Sequence, residues 1–364
     1  MLVGFRWQTG RVTDRDLLVI SEEPLNAETK LDQQRGSTVP AGRHYVRTHF
    51  GTPEGPREVW IDGEVRAPRG VTVEEVRMLP SRTVVVTLEC AGNGRKFLNP
   101  PVPGEQWGLG AVGTAEWTGA PLHSVVERAW LPSAVEVLFR GADEGTPKDL
   151  GRRIAYERSL PIDIASGDDI LVAYAMNGQP IPREHGGPLR VVVPGWYGMA
   201  SVKWLAEIRV LDRPFEGFFQ KDRYVIDGRP LRGIEPRAVI TSPRDGADVG
   251  GGSVEVRGYA WSGRAPLDRV ELKADGEREL GAMKVSSDAA SVACASPSTR
   301  SAHSSRPASV TFEPSRVSRR SFVSPARCAS PASEIPVPSS DSSVSSVRLA
   351  RLRNPSSLIE VPVR

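Results

Sequence analysis

The segment Thr83–Leu88, TVVVTL, constrains the fold more than any other part of the chain. All but its last residue are β-branched, and such side chains suit a buried, pleated strand better than a helix. The run stops at Glu89-Cys90-Ala91-Gly92-Asn93-Gly94-Arg95, where glycines break the pattern. Cys90 therefore stands at a strand end and opens a glycine-rich loop. Upstream, VWIDGEV and VTVEEVRMLP between Val59 and Leu79 predict a hairpin-like strand pair and a short helix closed by Pro80. Apolar alternation over His44–Phe50 predicts a strand leading into a turn at Gly51–Pro56. Downstream, a helix is expected over Pro121–Ala129, a strand over Val135–Phe139 and another over Leu189–Val193, ended by Pro194-Gly195. These elements mix without a strict βαβ period, which favours an α+β domain with a mixed sheet over a doubly wound one.

Around Arg237 the pattern changes. AVITSPRDGADV, SVEVRGYAWSG and LDRVELKADGE are short alternating segments, the signal of a β-sandwich. The 364 residues suffice for two domains. They divide into an N-terminal extension (1–39), a main domain (40–233), a partial sandwich (234–283) and a tail (284–364). The tail holds 23 serines and no glycine, tryptophan or tyrosine, whereas the preceding 283 residues hold all 35 glycines and all eight tryptophans. Such a segment cannot bury enough apolar surface to offset chain entropy, so disorder is expected there. The third sandwich strand stops in mid-pattern near Met283, as a reading-frame shift in the gene would produce.

Charge follows the same boundary. The net charge of +3 comes from the tail, with eleven Lys and Arg against five Asp and Glu; the first 283 residues carry 36 and 39. A slightly acidic body gives no reason to expect nucleic acid or an anionic membrane as partner. No apolar run approaches the ~20 residues that span a bilayer. Nor does the N-terminus show an apolar core with a cleavage site or a twin arginine. The default expectation is a cytoplasmic protein, periplasmic if the true start lies upstream.

Of the three cysteines, Cys90, Cys294 and Cys328, only the first lies in sequence that reads as folded, so a disulfide framework is not expected. A lone thiol is more often a small buried hydrophobe than a ligand. Against that, the Gly-Asn-Gly loop is unsuited to a core, and Arg95 could stabilise the thiolate that binds metals. His44, His49, His123 and His185 fall at no zinc spacing, and no GxGxxG, P-loop or GxSxG motif occurs. In RHYVRTHF, His44 and His49 bracket Arg47, a basic segment suited to phosphate or a small oxyanion, or simply an exposed loop. Tyr156, among the arginines of RRIAYERSLP, reads as a surface tyrosine in a charged loop, and Trp60, Trp117 and Trp130 as core anchors.

Several segments together resemble one family. TLECAGNGR resembles the cysteine loop of the sulfite oxidase family, and AYAMNGQPIPREHGGPLRVVVPGWYGMASVKWLAEIRV resembles its long cofactor-binding stretch. GFFQKDRY resembles the close of that domain, and SPRDGADV with GYAWSG the opening of the family's C-terminal immunoglobulin-like dimerisation domain. The resemblance implies a molybdenum-molybdopterin cofactor with Cys90 as the protein's metal ligand. It implies that Tyr45, Val46, Arg47, Thr48, His49, Asp143, His185, Arg190, Ser201, Val202 and Lys203 hold the pterin and its phosphate. It places Arg47, Arg95, Trp107, Tyr156 and Arg264 around the substrate, with sulfite or another small oxyanion as substrate. No haem is expected in this chain, so an external cytochrome or oxygen would accept the electrons, and a homodimer is the family's assembly. Gly94 stands where many members carry arginine, and the second half of the dimerisation domain is replaced by the tail. The implied reaction is oxidation of sulfite to sulfate; the alternatives are a related molybdenum enzyme that reduces nitrate or an S-oxide, or an inactive cofactor-binding remnant.

Overall fold

The computed structural model describes residues 16–282 except 35, 128, 246, 249–255, 268–269 and 275–277, together with three short strands further on, Ala308–Thr311, Ser345–Leu349 and Ile359–Val363. In chain order the first elements are β1 (Leu17–Ser21), β2 (Asn26–Thr29), β3 (Glu58–Gly63), β4 (Arg69–Thr72), α1 (Val73–Met78), β5 (Arg82–Glu89) and β6 (Val112–Pro121). There follow α2 (Leu122–Val125), β7 (Glu136–Gly145), β8 (Ile154–Pro161), α3 (Ile162–Ala165), β9 (Leu171–Met176), β10 (Gln179–Pro180), β11 (Arg190–Val192) and β12 (Leu205–Leu211). One five-stranded sheet runs β10-β9-β6-β5 with β11 beside β9, and a second runs β4-β3-β12-β7-β8. Only β12 with β3 is parallel among these pairs, so the sheets are mixed, as the sequence predicts.

β5 pairs with β6 over its whole length, and Val84, Val85, Val86 and Leu88 are buried on both faces. A strand covered on both sides reads as a continuous apolar run, which is why TVVVTL is so plain in the sequence. Its last pair, Glu89 with Val112, delivers Cys90 to the sheet's end. Tyr45, Cys90 and Trp107 pack with residues of β5, β6 and β9, while the larger core gathers side chains of β3, β7, β8 and β12.

Some expected elements differ. His44–Phe50 forms no strand: only Val46 bridges, to Ala27, because the buried Asn26 side chain takes over the next backbone group, Oδ1 accepting from Thr48 N at 2.9 Å. The helix expected over Pro121–Ala129 is the single turn α2, since Glu127 turns the chain away at φ 54°. Trp60 is not a core anchor; it lies on the outward face of β3, 48% exposed. Tyr156 lies not in a surface loop but buried on β8.

Beyond the main domain, β13 (Val225–Ile226) and β14 (Arg229–Pro230) form a small hairpin. β15 (Arg237–Ser242) and β16 (Arg257–Trp261) pair antiparallel, followed by the hairpin β17 (Glu271–Ala274) and β18 (Arg278–Ala282). β19 (Ala308–Thr311), within the tail, adds to the free side of β16. Most of the tail, including Cys294 and Cys328, lies outside the described residues, and so does the expectation of disorder there. No helix among the described residues is long and apolar enough to cross a membrane.

Candidate active site

Three irregular segments converge beyond the end of β5. The first is Cys90 itself, whose N–H donates to Ala111 O at 2.9 Å while its carbonyl accepts from Asn93 N at 2.8 Å. Gly94, at φ 83°, supplies the left-handed turn that closes the loop. The second is residues 44–49. Val46 is pinned to Ala27 by two backbone hydrogen bonds, and Arg47 Nη1 donates to Asn26 Oδ1 at 3.0 Å and to Thr48 O. The third is residues 184–203, cross-braced by Arg190, which donates to His185 O at 2.7 Å and Ser201 O at 2.8 Å while lying over the Trp117 ring. Lys203 Nζ ties the second and third together, donating to Thr48 Oγ1 at 3.2 Å and Glu184 O at 2.9 Å.

The cleft between them is lined by Cys90 together with Tyr45, Val46, Arg47, His49, Asp143, Tyr156, His185, Arg190, Ser201 and Lys203. Asp143 enters from β7 where the ladder to β8 is interrupted between Arg140 and Glu144. Tyr156 donates to Met199 O at 2.9 Å and stacks on His49, ring centroids 4.8 Å apart. His49 Nε2 lies 2.6 Å from the Tyr224 hydroxyl.

Burial dominates the electrostatics. It lowers His44 to about 4 and holds His49 and His185 well below the usual imidazole range, so the rings are neutral near pH 7. The same desolvation pushes Lys203 down to about 7 and Asp143 up to about 6, each partly offset by the other's charge. Arg190 falls to about 10 and stays charged. Burial raises the Cys90 thiol, and Arg47 pulls it back more than Arg95 does, so the larger cationic influence comes from a different segment than the sequence suggests.

The remaining expected residues lie outside the lining. Thr48 is buried behind it as the acceptor for Lys203, and Val202 is fully buried. Arg95 folds back along its own loop, Nη1 donating to Glu105 O at 3.1 Å, with its guanidinium against Gly92 and Gly104. Trp107 is fully buried in the Cys90 cluster, its Nε1 without a hydrogen-bond partner. Arg264 is more than half exposed and ion-paired with Glu235. Conversely, His44, Glu184, Met199 and Tyr224 line the cleft although the sequence pattern gives them no site role; His44 flanks the basic segment and Tyr224 ends GFFQKDRY, the signals that could have found them.

The chemistry of this donor set fits a pterin-bound metal. Among the described residues no three His, Cys, Asp or Glu side chains gather as a metal nest, so Cys90 offers one thiolate and further ligands must come from a cofactor. Arg47, Arg190 and Lys203 supply positive charge for a phosphate. One buried atom in the lining, Asp143 Oδ1, has no hydrogen-bond partner, as expected of a polar atom that meets a hydrogen-bonding ligand.

Comparisons with known proteins agree. Residues 49–219 match the oxidoreductase molybdopterin binding domain family. Mitochondrial sulfite oxidase of Mus musculus is 35% identical over 71% of this chain and 52% of its own length, and sulfite oxidase of Arabidopsis thaliana is 33% identical over 71% of this chain and 73% of its own. The NADH nitrate reductase of Petunia hybrida is 31% identical, over 70% of this chain and 32% of its own length. Among solved structures, the sulfane dehydrogenase SoxCD of Paracoccus pantotrophus superimposes with a TM-score of 0.65 at 26% identity, covering 80% of this chain and 72% of that one. The chain spans about half the length of the mammalian mitochondrial relatives. Its relationship to the plant enzyme, nearly three quarters of which it covers, makes it a member of the sulfite oxidase family of molybdopterin-binding oxidoreductases.

Proposed function

We propose that this protein oxidises sulfite to sulfate at a molybdenum cofactor held by Cys90, passing two electrons to an external acceptor, a cytochrome or oxygen. The observation that carries the reading is the placing of the Cys90 thiol in one cleft with Arg47 and Tyr156. The bound cofactor supplies oxygen-atom-transfer and redox chemistry. The protein's part is to bind, orient and manage protons. Sulfite and water give sulfate, two protons and two electrons, so the site must hold an oxyanion before and after turnover and release protons.

Arg47 meets the first need. Its Nη1 is engaged by Asn26 and Thr48, which fixes the guanidinium plane and leaves Nη2 and Nε for an anion. Tyr156 serves the reacting oxygen as a hydrogen-bond donor and not as the proton carrier. Burial raises its phenol well above the ordinary range, so it remains a neutral donor that can exchange Met199 O for a reacting oxygen. His49, neutral and held by Tyr224, forms the wall behind it. Asp143, Arg190 and Lys203, with the flanking Tyr45, Val46, Thr48, His185, Ser201 and Val202, would cradle pterin and phosphate. Arg95, Trp107 and Arg264 are proposed for the substrate side on the strength of the family resemblance alone.

The test is turnover of sulfite by purified, molybdenum-loaded protein with an artificial electron acceptor, with metal content measured in parallel. We expect sulfite-dependent reduction of the acceptor, and its loss in Cys90→Ser. The relationship to nitrate reductase supports a second reading, nitrate reduction at the same cleft. Turnover with nitrate and a reductant but none with sulfite would replace the first reading by the second.

A further inference from the structure

We propose that Arg237 and Trp261, from the C-terminal strand pair, are positioning residues of the active site that hold the Cys90 loop in shape through the Glu89 side chain. The inference rests on Cys90 being the metal ligand and extends that reading to residues outside the cleft.

Glu89 is the last residue of β5 and the immediate neighbour of Cys90, and it is 1% exposed. Its Oε1 accepts from Arg237 Nη1 at 2.6 Å and from Asn93 Nδ2 at 3.0 Å; its Oε2 accepts from Trp261 Nε1 at 2.7 Å. Two of the three donors thus come from β15 and β16, 148 and 172 residues away in sequence. Arg237 Nη1 also donates to Asn93 O at 3.0 Å. Asn93 in turn shapes the loop, its N–H donating to Cys90 O at 2.8 Å and its Oδ1 accepting from Ala111 N at 3.1 Å. The chain of contacts from the C-terminal strands to Cys90 is continuous.

Two details show that the fit is specific. A Cβ added at Gly94 would lie 2.5 Å from Arg237 Nη2, so the guanidinium occupies the space a side chain there would take. Trp261 is buried in an apolar cluster with Val112, Ile234, Val239 and Tyr259, which shields its indole N–H from solvent. A buried carboxyl group that loses a donor incurs a desolvation cost larger than the bond's own net worth. The easiest relief is movement of the Glu89 side chain, which releases Asn93 and with it the hydrogen bond that Asn93 N donates to Cys90 O. Sites of this kind depend on such outer support for their geometry.

The experiment uses the full chain, expressed without cofactor, and follows alkylation of Cys90 by iodoacetamide through peptide mass spectrometry. Cys90 is buried, so its modification rate reads the opening of the loop. Trp261→Phe keeps an aromatic ring and removes the donor; Arg237→Met keeps the length and removes the charge. With each variant held equally far below its own Tm, we expect both to raise the Cys90 rate about tenfold, the scale set by losing one hydrogen bond to a charged group. Arg237→Lys should return part of the protection. Unchanged Cys90 rates overturn the proposal, and so does an increase that disappears once distance from Tm is equalised. A parent protein that turns over no sulfite would end the functional reading while leaving this outcome readable.

Discussion

Tyr156 and Lys203 line the same cleft yet should fail in different ways. Tyr156→Phe removes the only polar atom of the side chain and leaves its stacking on His49 and packing against Phe219. We expect molybdenum content to stay at the parent level and sulfite turnover to fall by at least about a hundredfold, the low end of what one positioned donor to a reacting oxygen contributes. Lys203 is a binding cation held at a desolvation cost, since burial brings it down to about 7. Between that value and 10.5 the unfolded chain binds the proton that the folded chain gives up, so this residue's contribution to stability improves as pH rises and worsens toward pH 7. In the cofactor-free protein, Lys203→Met should therefore raise Tm, by more at about pH 7 than at about pH 10, and flatten that part of the pH profile. The same variant should lose cofactor, because the anion that offsets the cost no longer finds its cation. A Tm difference independent of pH would show that Lys203 is not desolvated. At this scale Cys90 was readable, because a β-branched run broken by glycines is a local pattern. Asn26 was not: it acts by reaching Arg47 and Thr48 from a strand about twenty residues away, a contact no local pattern encodes.

Strand β8 shows why some elements escaped sequence reading altogether. RRIAYERSLP reads as a charged loop, yet its strand charges part to two faces. Arg158 turns inward, donating to Phe219 O and Leu231 O, while Glu157 joins a charged sheet face on which Arg140 of β7 reaches Glu144 at 3.0 Å, Glu157 at 3.9 Å and Glu207 of β12 at 3.7 Å. The ion pairs that make those residues tolerable in a strand lie on neighbouring strands, so the single segment carries no sign of them. Helix α1 is the opposite case, because its start signal is contained within four residues. Thr72 Oγ1 accepts from Glu75 N at 3.2 Å while Thr72 N donates to Glu75 Oε2 at 2.7 Å, and Val73 and Val76 then point into the core. Thr72→Ala should lower stability by about 1 kcal/mol in denaturant titration and leave molybdenum content unchanged. A loss of metal in that variant would mean that α1 reaches the cleft, which its contacts do not suggest.

For the whole molecule the open question is how much of the C-terminal part the active site needs. β15 and β16, with the preceding Ile234, cover Val112 by Val239, Tyr259 and Trp261 and place two donors on Glu89. A chain ending at residue 233 would lack four of that cluster's five buried members, uncovering Val112 at a cost of roughly 2 kcal/mol, and would leave Asn93 as the Glu89 side chain's remaining partner. A chain ending at residue 283 keeps both contacts and loses only the tail, including the pairing of Ala308–Thr311 with β16. We therefore expect the shorter chain to melt well below the parent and to retain little molybdenum. The longer one should retain the parent's metal content and sulfite turnover, while the uncovered edge of β16 makes it associate more readily at high concentration in sedimentation. The composition break near Met283 would then mark the limit of what catalysis needs, and the reading of the chain as an inactive remnant would fail on activity measured without the tail. Equal metal content in the two cut chains would instead detach β15 and β16 from the site and reduce the Glu89 contacts to ordinary domain packing.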